Sequence, residues 1–159
     1  EQIDPGSMIR EVIDSLHYVP HWPDPLQIDM NLPDDSLRLW MNRSECRQVL
    51  WNLLLNAIQS MPEGGTLTVA TYRRRINEKD GVEILVQDTG CGIERTKLAK
   101  VFEPFYTTRE MGTGLGLAVV KRILDAYGGT IDLQSDAGQG TVCRVWIPGR
   151  AFPKDGNDG

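Results

Sequence analysis

Apolar residues Met8, Ile9, Val12, Ile13 and Leu16 recur at helical spacing, which predicts a helix over 8–19. Pro20, Pro23 and Pro25 end it and open an irregular connection. Leu26, Ile28, Met30 and Leu32 then alternate with polar residues, as a half-buried strand does. Asp34-Asp35 reads as a turn and 37–41 as a short returning strand. Asn42 with Glu45 three residues on has the form of a helix N-cap and capping box. It heads a long helix predicted over 43–61, stopped by Pro62 and Gly64-Gly65. Residues 66–76 and 82–87 are strand-like, and the polar segment 77–81 between them predicts a hairpin.

A glycine-rich turn over 88–93 leads into a predicted short helix near 95–101. Residues 102–113 lack periodicity and carry Pro104 and Gly112, so they read as a loop or lid. A helix over 115–127 stops at Gly128-Gly129, and 130–134 and 141–147 are the last strands. The strands fall in antiparallel-looking pairs with helices between them. This predicts an α+β domain, a two-layer sandwich whose mixed, largely antiparallel sheet is covered on one face by helices. A single domain is expected over 8–150. Residues 1–7, with the turn-forming run Asp4-Pro5-Gly6-Ser7, read as an expression remnant or linker end, and 151–159 as a flexible tail.

Composition narrows the function. The net charge of -5 argues against nucleic-acid binding, which needs clustered Lys and Arg. The run Arg73-Arg74-Arg75 is read as a solvated strand end or hairpin edge. Three cysteines, Cys46, Cys91 and Cys143, have neither metal-ligand spacing nor a nearby His, and read as reduced thiols. No apolar stretch approaches the roughly 18–20 residues that span a bilayer. The expectation is a cytoplasmic domain whose parent protein is either cytoplasmic or anchored in the inner membrane.

Four segments and a turn carry candidate chemistry. On the long helix, Glu45, Gln48, Asn52, Asn56 and Gln59 form one polar stripe in an otherwise apolar circumference, with Asn52 and Asn56 one turn apart. Such a pair serves equally as solvated positions, as structural hydrogen-bonders or as ligands. Asp88-Thr89-Gly90-Cys91-Gly92-Ile93 follows a strand. Its glycines permit a sharp turn and close approach to a flat ligand, and its carboxylate can accept from an exocyclic amine. Gly112-Thr113-Gly114-Leu115-Gly116-Leu117 opens a helix, and successive bare backbone N–H groups there suit a polyphosphate. The run is neither a P-loop nor a Rossmann fingerprint. Between them, Phe102 and Phe105 suit a loop anchor, while Thr107, Thr108 and Arg109 offer phosphate donors. Gly138-Gln139-Gly140-Thr141 alone is a hairpin turn.

Taken in order, these segments resemble the N, G1, F, G2 and G3 boxes of the GHKL ATPase and kinase superfamily, across about two thirds of the chain (42–148). Each box is a weak signal; their order and spacing are specific. Asn56-Ala57-Ile58-Gln59 and the phenylalanine and glycine boxes look most like sensor histidine kinases of the nitrogen-regulation type. The resemblance implies the Bergerat-type ATP-binding fold, with ATP and Mg2+ as ligands. It implies Asn56 as the magnesium ligand, Asn52 as support for phosphates and metal, and Asp88 as reader of the adenine amine, with Thr141 assisting through water. Gly90, Gly92 and Ile93 would shape the base pocket. Phe105, Thr107, Thr108 and Arg109 would belong to the lid, together with Gly112, Thr113, Gly114, Leu115, Gly116 and Leu117. Asn52, Asn56 and Arg109 would be the catalytic residues, although the family more often has Lys where Arg109 stands.

Position 52 discriminates among relatives. Gyrase-, mismatch-repair-, chaperone- and anti-sigma-type members of the superfamily carry Glu there, which can take a proton from an attacking water; an amide cannot. The resemblance with Asn52 therefore implies donation of the γ-phosphoryl group to a histidine on a separate dimerisation domain of the same parent, with a response regulator downstream. The fragment is expected to be monomeric and the parent homodimeric. Neither His17, before Tyr18, nor His21, between Pro20 and Trp22, has the sequence context of that acceptor. The alternatives are a nucleotide-sensing module without transfer activity, and an ATP hydrolase.

Overall fold

The computed structural model describes residues 1–20, 22–32, 37–98, 100–103 and 116–151. The elements run β1 (Gln2–Ile3), α1 (Pro5–Leu16), β2 (Leu26–Asn31), β3 (Leu37–Trp40), α2 (Arg43–Gln59), β4 (Gly65–Ile76), β5 (Lys79–Asp88), α3 (Arg95–Leu98), α4 (Gly116–Ala126), β6 (Thr130–Ser135) and β7 (Thr141–Ala151). The strands make one seven-stranded sheet in the order β1-β3-β7-β5-β4-β2, with β6 also on β7. Every pairing is antiparallel except β2 with β4. The expected mixed, largely antiparallel α+β architecture is what forms.

Alternation decides which face meets the helices. Leu67 and Val69, Val82, Ile84 and Val86, and Cys143, Val145 and Ile147 point to one side and join a single buried cluster with α1, α2 and α4. Helix α2 lies in its centre, burying Cys46, Val49, Leu50, Leu53, Leu54, Ala57 and Ile58. Leu50 and Leu54 are fully covered, and such burial contributes roughly 1.5–3 kcal/mol per side chain. The opposite face is polar and open at Tyr72, where Arg74 pairs with Glu83 and the Trp146 indole donates to the Arg74 carbonyl at 3.0 Å. The Arg73–Arg75 run thus lies on β4 as a solvated strand end. Among the described residues no helix is long and apolar enough to cross a membrane.

Several expectations need correction. Residues 1–7 are not an external lead: β1 pairs with β3 and Ile3 is buried. Asp4 is the N-cap of α1, its carboxylate accepting from Gly6 N at 3.0 Å, and Pro5 occupies the first turn, where its missing N–H costs nothing. The turn chemistry read there is helix-start chemistry.

β3 does not return along β2. It joins β1 and β7, while β2 lies parallel to β4 at the far edge. The β4–β5 hairpin is also tighter than the polar run suggests, because Asn77 and Glu78, at φ 49° and 66°, make the whole turn. β7 runs on past Ile147 because its partner changes: its pairing with β5 ends at Pro148 opposite Gly81, and β3 takes over at Gly149. The turn assigned to Asp34-Asp35 and the tail after 151 lie outside the described residues.

Candidate functional site

Three strand ends form the floor of the site. Asp88 closes β5, Thr141 opens β7 and Ser135 closes β6, and their register sets them in one cross-strand row on the helix-covered face. Asp88 is only 6% exposed, so its carboxylate needs internal donors. Its Oδ1 accepts from Gly90 N at 2.9 Å and from Thr141 N at 3.3 Å. A carboxylate acceptor is thereby fixed at the ends of β5 and β7.

The glycines matter because three backbones meet around it. A Cβ at Gly90 would overlap the carbonyl and hydroxyl of Ser60, the residue that caps α2. Ser60 in turn accepts from Cys91 N at 3.1 Å through its carbonyl and donates to Ala57 O at 2.7 Å. Gly92 has φ +70° and lies against the Asp136 carbonyl, while Gly140, at φ +80°, lies against that of Asp88. Gly138 N donates to Cys91 O at 2.6 Å, and Ile93 N donates to Ser135 Oγ at 2.7 Å. The expected pocket-shaping segment 88–93 is thus tied to the end of α2 and to the 135–141 turn at once.

Thr89 Oγ1 accepts from Thr66 N at 3.0 Å and holds the loop to β4 as well. Outside this knot, Arg95 donates to Asp136 at 2.8 Å, and this hydrogen bond and charge hold the Asp136 carboxyl below its usual range. Both groups are exposed, so the pair adds little stability.

The facing wall is the polar stripe of α2. Asn52 and Asn56 are half-buried, and Asn52 Nδ2 reaches the Gly116 carbonyl at 3.4 Å. A Cβ at Gly116 would stand 3.8 Å from Asn56 Nδ2 and 3.9 Å from the Asn52 side chain. The bare start of α4 therefore faces both amides. Leu117 packs on the core behind them. Amide oxygens are hard donors of the kind magnesium takes, and they carry no useful basicity. Among the described residues no group of three or more His, Cys, Asp or Glu could hold a metal ion.

The structure thus places the candidate residues in two groups, Asn52 and Asn56 beside Gly116, and Asp88, Gly90, Gly92, Ile93 and Thr141 at the strand ends, where Ser60 at the end of α2 meets Gly90; Leu117 packs on the core. Phe105, Thr107, Thr108, Arg109, Gly112, Thr113, Gly114 and Leu115 lie outside the described residues, as does His21. His17 is held locally, with Nδ1 2.9 Å from Ile13 O and its ring stacked on Trp22 at 4.0 Å. Ser60, Thr89 and Ser135 were not singled out in the sequence. Ser135 was legible in principle, since a hairpin centred on Gly138 sets residue 135 opposite 141.

Residues 41–151 match the family described as histidine kinase-, DNA gyrase B- and HSP90-like ATPases. Among curated proteins, the chain is 36% identical over 90% of its length to sporulation kinase E of Bacillus subtilis, covering 19% of that protein. It is 34% identical over 98% of its length to the sensor histidine kinase ZraS of Escherichia coli, covering 34% of it. It thus spans about a third or less of the length of these relatives. Among solved structures, it resembles the catalytic domain of histidine kinase ThkA (TM-score 0.77, 28% identity, 93% of this chain and 94% of that one). It also resembles full-length ShkA in complex with AMPPNP (TM-score 0.79, 26% identity, 95% of this chain and 31% of that one). A mycobacterial sensor histidine kinase, MprB, shares the fold at a TM-score of 0.80 with 24% identity, over 96% of this chain and 99% of that one.

Proposed function

The chain belongs to the family of histidine kinase-, DNA gyrase B- and HSP90-like ATPases, and from that premise we propose that it binds Mg-ATP and donates the γ-phosphoryl group to a histidine on a separate dimerisation domain of its parent. It would then be the ATP-binding catalytic domain of a two-component sensor histidine kinase, homodimeric in the parent and feeding a response regulator. Its sensor-kinase relatives and a neighbour's complex with an ATP analogue support this reading. The observation that carries it is Asn52, half-buried on α2 and facing the start of α4. The hydrolases of the superfamily that this chain resembles carry Glu at this position, a carboxylate that can take a proton from water, and this amide has no such basicity.

In this reading Asp88 and Thr141 receive the adenine, and Gly90, Gly92 and Ile93 give it a close-fitting wall. Asn56 holds magnesium through its side-chain oxygen, and Asn52 steadies the phosphate region. The ion, when bound, neutralises phosphate charge and orients the chain for in-line transfer. Phe105, Thr107, Thr108, Arg109, Gly112, Thr113, Gly114 and Leu115, outside the described residues, would form the phosphate-facing lid with Gly116, Arg109 approaching the γ-phosphate, while Leu117 anchors the start of α4 on the core. The chain contributes position and charge; the nucleophile comes from its partner.

Incubation with labelled ATP and the parent's histidine-bearing domain should yield acid-labile labelled phosphohistidine, with little phosphate released by the chain alone. ATP binding without transfer would instead favour a nucleotide-sensing module, and steady phosphate release a hydrolase. Asn56→Ala should weaken magnesium-dependent ATP binding about tenfold or more by calorimetry, roughly 1.4 kcal/mol. Unchanged affinity would remove Asn56 from the metal site.

A further inference from the structure

We propose that Ser135 is a positioning residue for base selectivity: it orients the Thr141 hydroxyl so that this group faces the base pocket only as an acceptor, restricting the site to 6-aminopurine nucleotides. The inference rests on the nucleotide reading above and deepens it. Its basis is a count of protons at one oxygen. Ser135 Oγ makes three short contacts: Ile93 N at 2.7 Å, Gly140 O at 2.8 Å and Thr141 Oγ1 at 2.9 Å.

A serine hydroxyl has one proton to give and two lone pairs to accept with. The Ile93 amide can only donate, and the Gly140 carbonyl can only accept. Ser135 must therefore give its proton to Gly140 O, and it has none left for Thr141. The one assignment that makes all three contacts hydrogen bonds has Thr141 donating to Ser135. The proton order is thus Thr141 to Ser135 to Gly140, with the Ile93 amide filling the last position on Ser135.

The consequence lies one strand away. Thr141 stands beside Asp88 in the cross-strand row, and its backbone N–H already goes to Asp88 Oδ1 at 3.3 Å. With its hydroxyl proton turned toward β6, Thr141 offers lone pairs to the concavity, and Asp88 offers a carboxylate. Two acceptors side by side match the donor edge of a 6-amino group, directly or through a water that passes the polarity on. A 6-oxo group with its protonated ring nitrogen reverses part of that pattern. A freely rotating Thr141 hydroxyl would accommodate either base by turning its proton inward. Ser135 removes that freedom without touching the ligand.

The test compares ATP with inosine triphosphate, which differ at the purine 6-position and in the adjacent ring proton, using the 159-residue chain with magnesium and calorimetric titration. The native chain should prefer ATP. Ser135→Ala should lower the ATP-to-ITP preference about tenfold, the scale of one directed hydrogen bond in a site that reads a polar group. Thr141→Val should lower it similarly, and adding Ser135→Ala to Thr141→Val should change it no further. Ser135→Thr, which keeps the hydroxyl, should retain the preference. If the alanine variant fails to fold, Ser135→Cys, a weak donor of similar size, reads the same ratio.

A Ser135 variant that weakens both nucleotides equally, with the ratio intact, would overturn the proposal, since that is what a structural role alone produces. An equal drop in ratio on the Thr141→Val background would overturn it too, because Ser135 would then act by another route. In both cases a native chain that still prefers ATP leaves the nucleotide site standing. A native chain that binds both nucleotides equally would overturn this inference and leave the ATP site standing, whereas one that binds neither would remove that reading together with this one.

Discussion

Asp88 combines deep burial with two backbone donors on a single oxygen, which makes it the residue where a small change should be most informative. Asp88→Asn preserves shape while removing the charge and placing an amide N–H₂ where one oxygen stood. A donor facing the adenine amine leaves both groups unpaired, at a cost of about 1.5–3 kcal/mol. ATP affinity should therefore fall roughly ten- to a hundredfold by titration, and an unchanged affinity would remove Asp88 from the base pocket. Asp88, Asn52 and Asn56 stand out as candidates in the sequence because their residue types are unusual for their places: a carboxylate ending an apolar strand, two amides on an apolar helix. Ser60 and Ser135 were not, because a serine at an element's end is commonplace. Its importance lies in which backbone atoms surround it, and those come from segments 31 and 42 residues away.

At the scale of elements, α2 and α4 carry opposite halves of the candidate site, and Tyr127 fastens them. Its hydroxyl accepts from Asn42 N and donates to Glu45 Oε1, both at 3.0 Å. The capping box expected at Asn42 is thus only half made. Asn42 Oδ1 caps Glu45 N at 3.1 Å, but Tyr127 takes the role the Glu45 carboxylate would have had toward the Asn42 amide. Tyr127→Phe should lower stability by about 1–2 kcal/mol in denaturant unfolding, since it removes two hydrogen bonds in a partly covered place. ATP affinity should hardly change, because Asn52 and Asn56 lie two or more turns along α2 from this joint; a large loss would mean the joint also sets the gap between the helices. Helix identities were legible, and so were the start of α2 and the bounds of α4, because caps and glycines act locally; α1 runs Pro5–Leu16 where 8–19 was expected, because its Asp4 cap reads as a turn and it stops before Pro20. Strand partners were not. β2 and β3 are neighbours in sequence, yet they stand at opposite sides of the sheet because both faces of the pairing are decided by distant strands. β1, at two residues, is too short to show a period.

At the scale of the whole molecule, the elements that carry the candidate site are joined by one buried cluster, and two of the three cysteines report on it. Cys46 on α2 and Cys143 on β7 are buried in that cluster, whereas Cys91 in the 88–93 segment is exposed. Burial pushes both buried thiols up to about 12, with the charges of Asp132 and Asp88 adding to the effect at Cys143. At pH 8.5 they are therefore protonated as well as covered, and an alkylating reagent reaches them only through opening of the core. Cys91 should be labelled promptly in the native chain. Cys46 and Cys143 should follow slowly and at a common rate, since a helix and a strand of one core open together. In the proposed site ATP with magnesium would bind only where α2, α4 and the strand ends are assembled, and so should draw the equilibrium away from the opened state. At a hundredfold excess over the dissociation constant the shift is about 2.7 kcal/mol, close to a hundredfold slower labelling at both buried positions by mass spectrometry. If nucleotide slows Cys46 but not Cys143, the helix layer opens apart from the sheet, and ATP stabilises only that layer. A common slowing would mean that the nucleotide is bound by the fold as a whole, with the three strand ends and the α2 stripe acting as one surface.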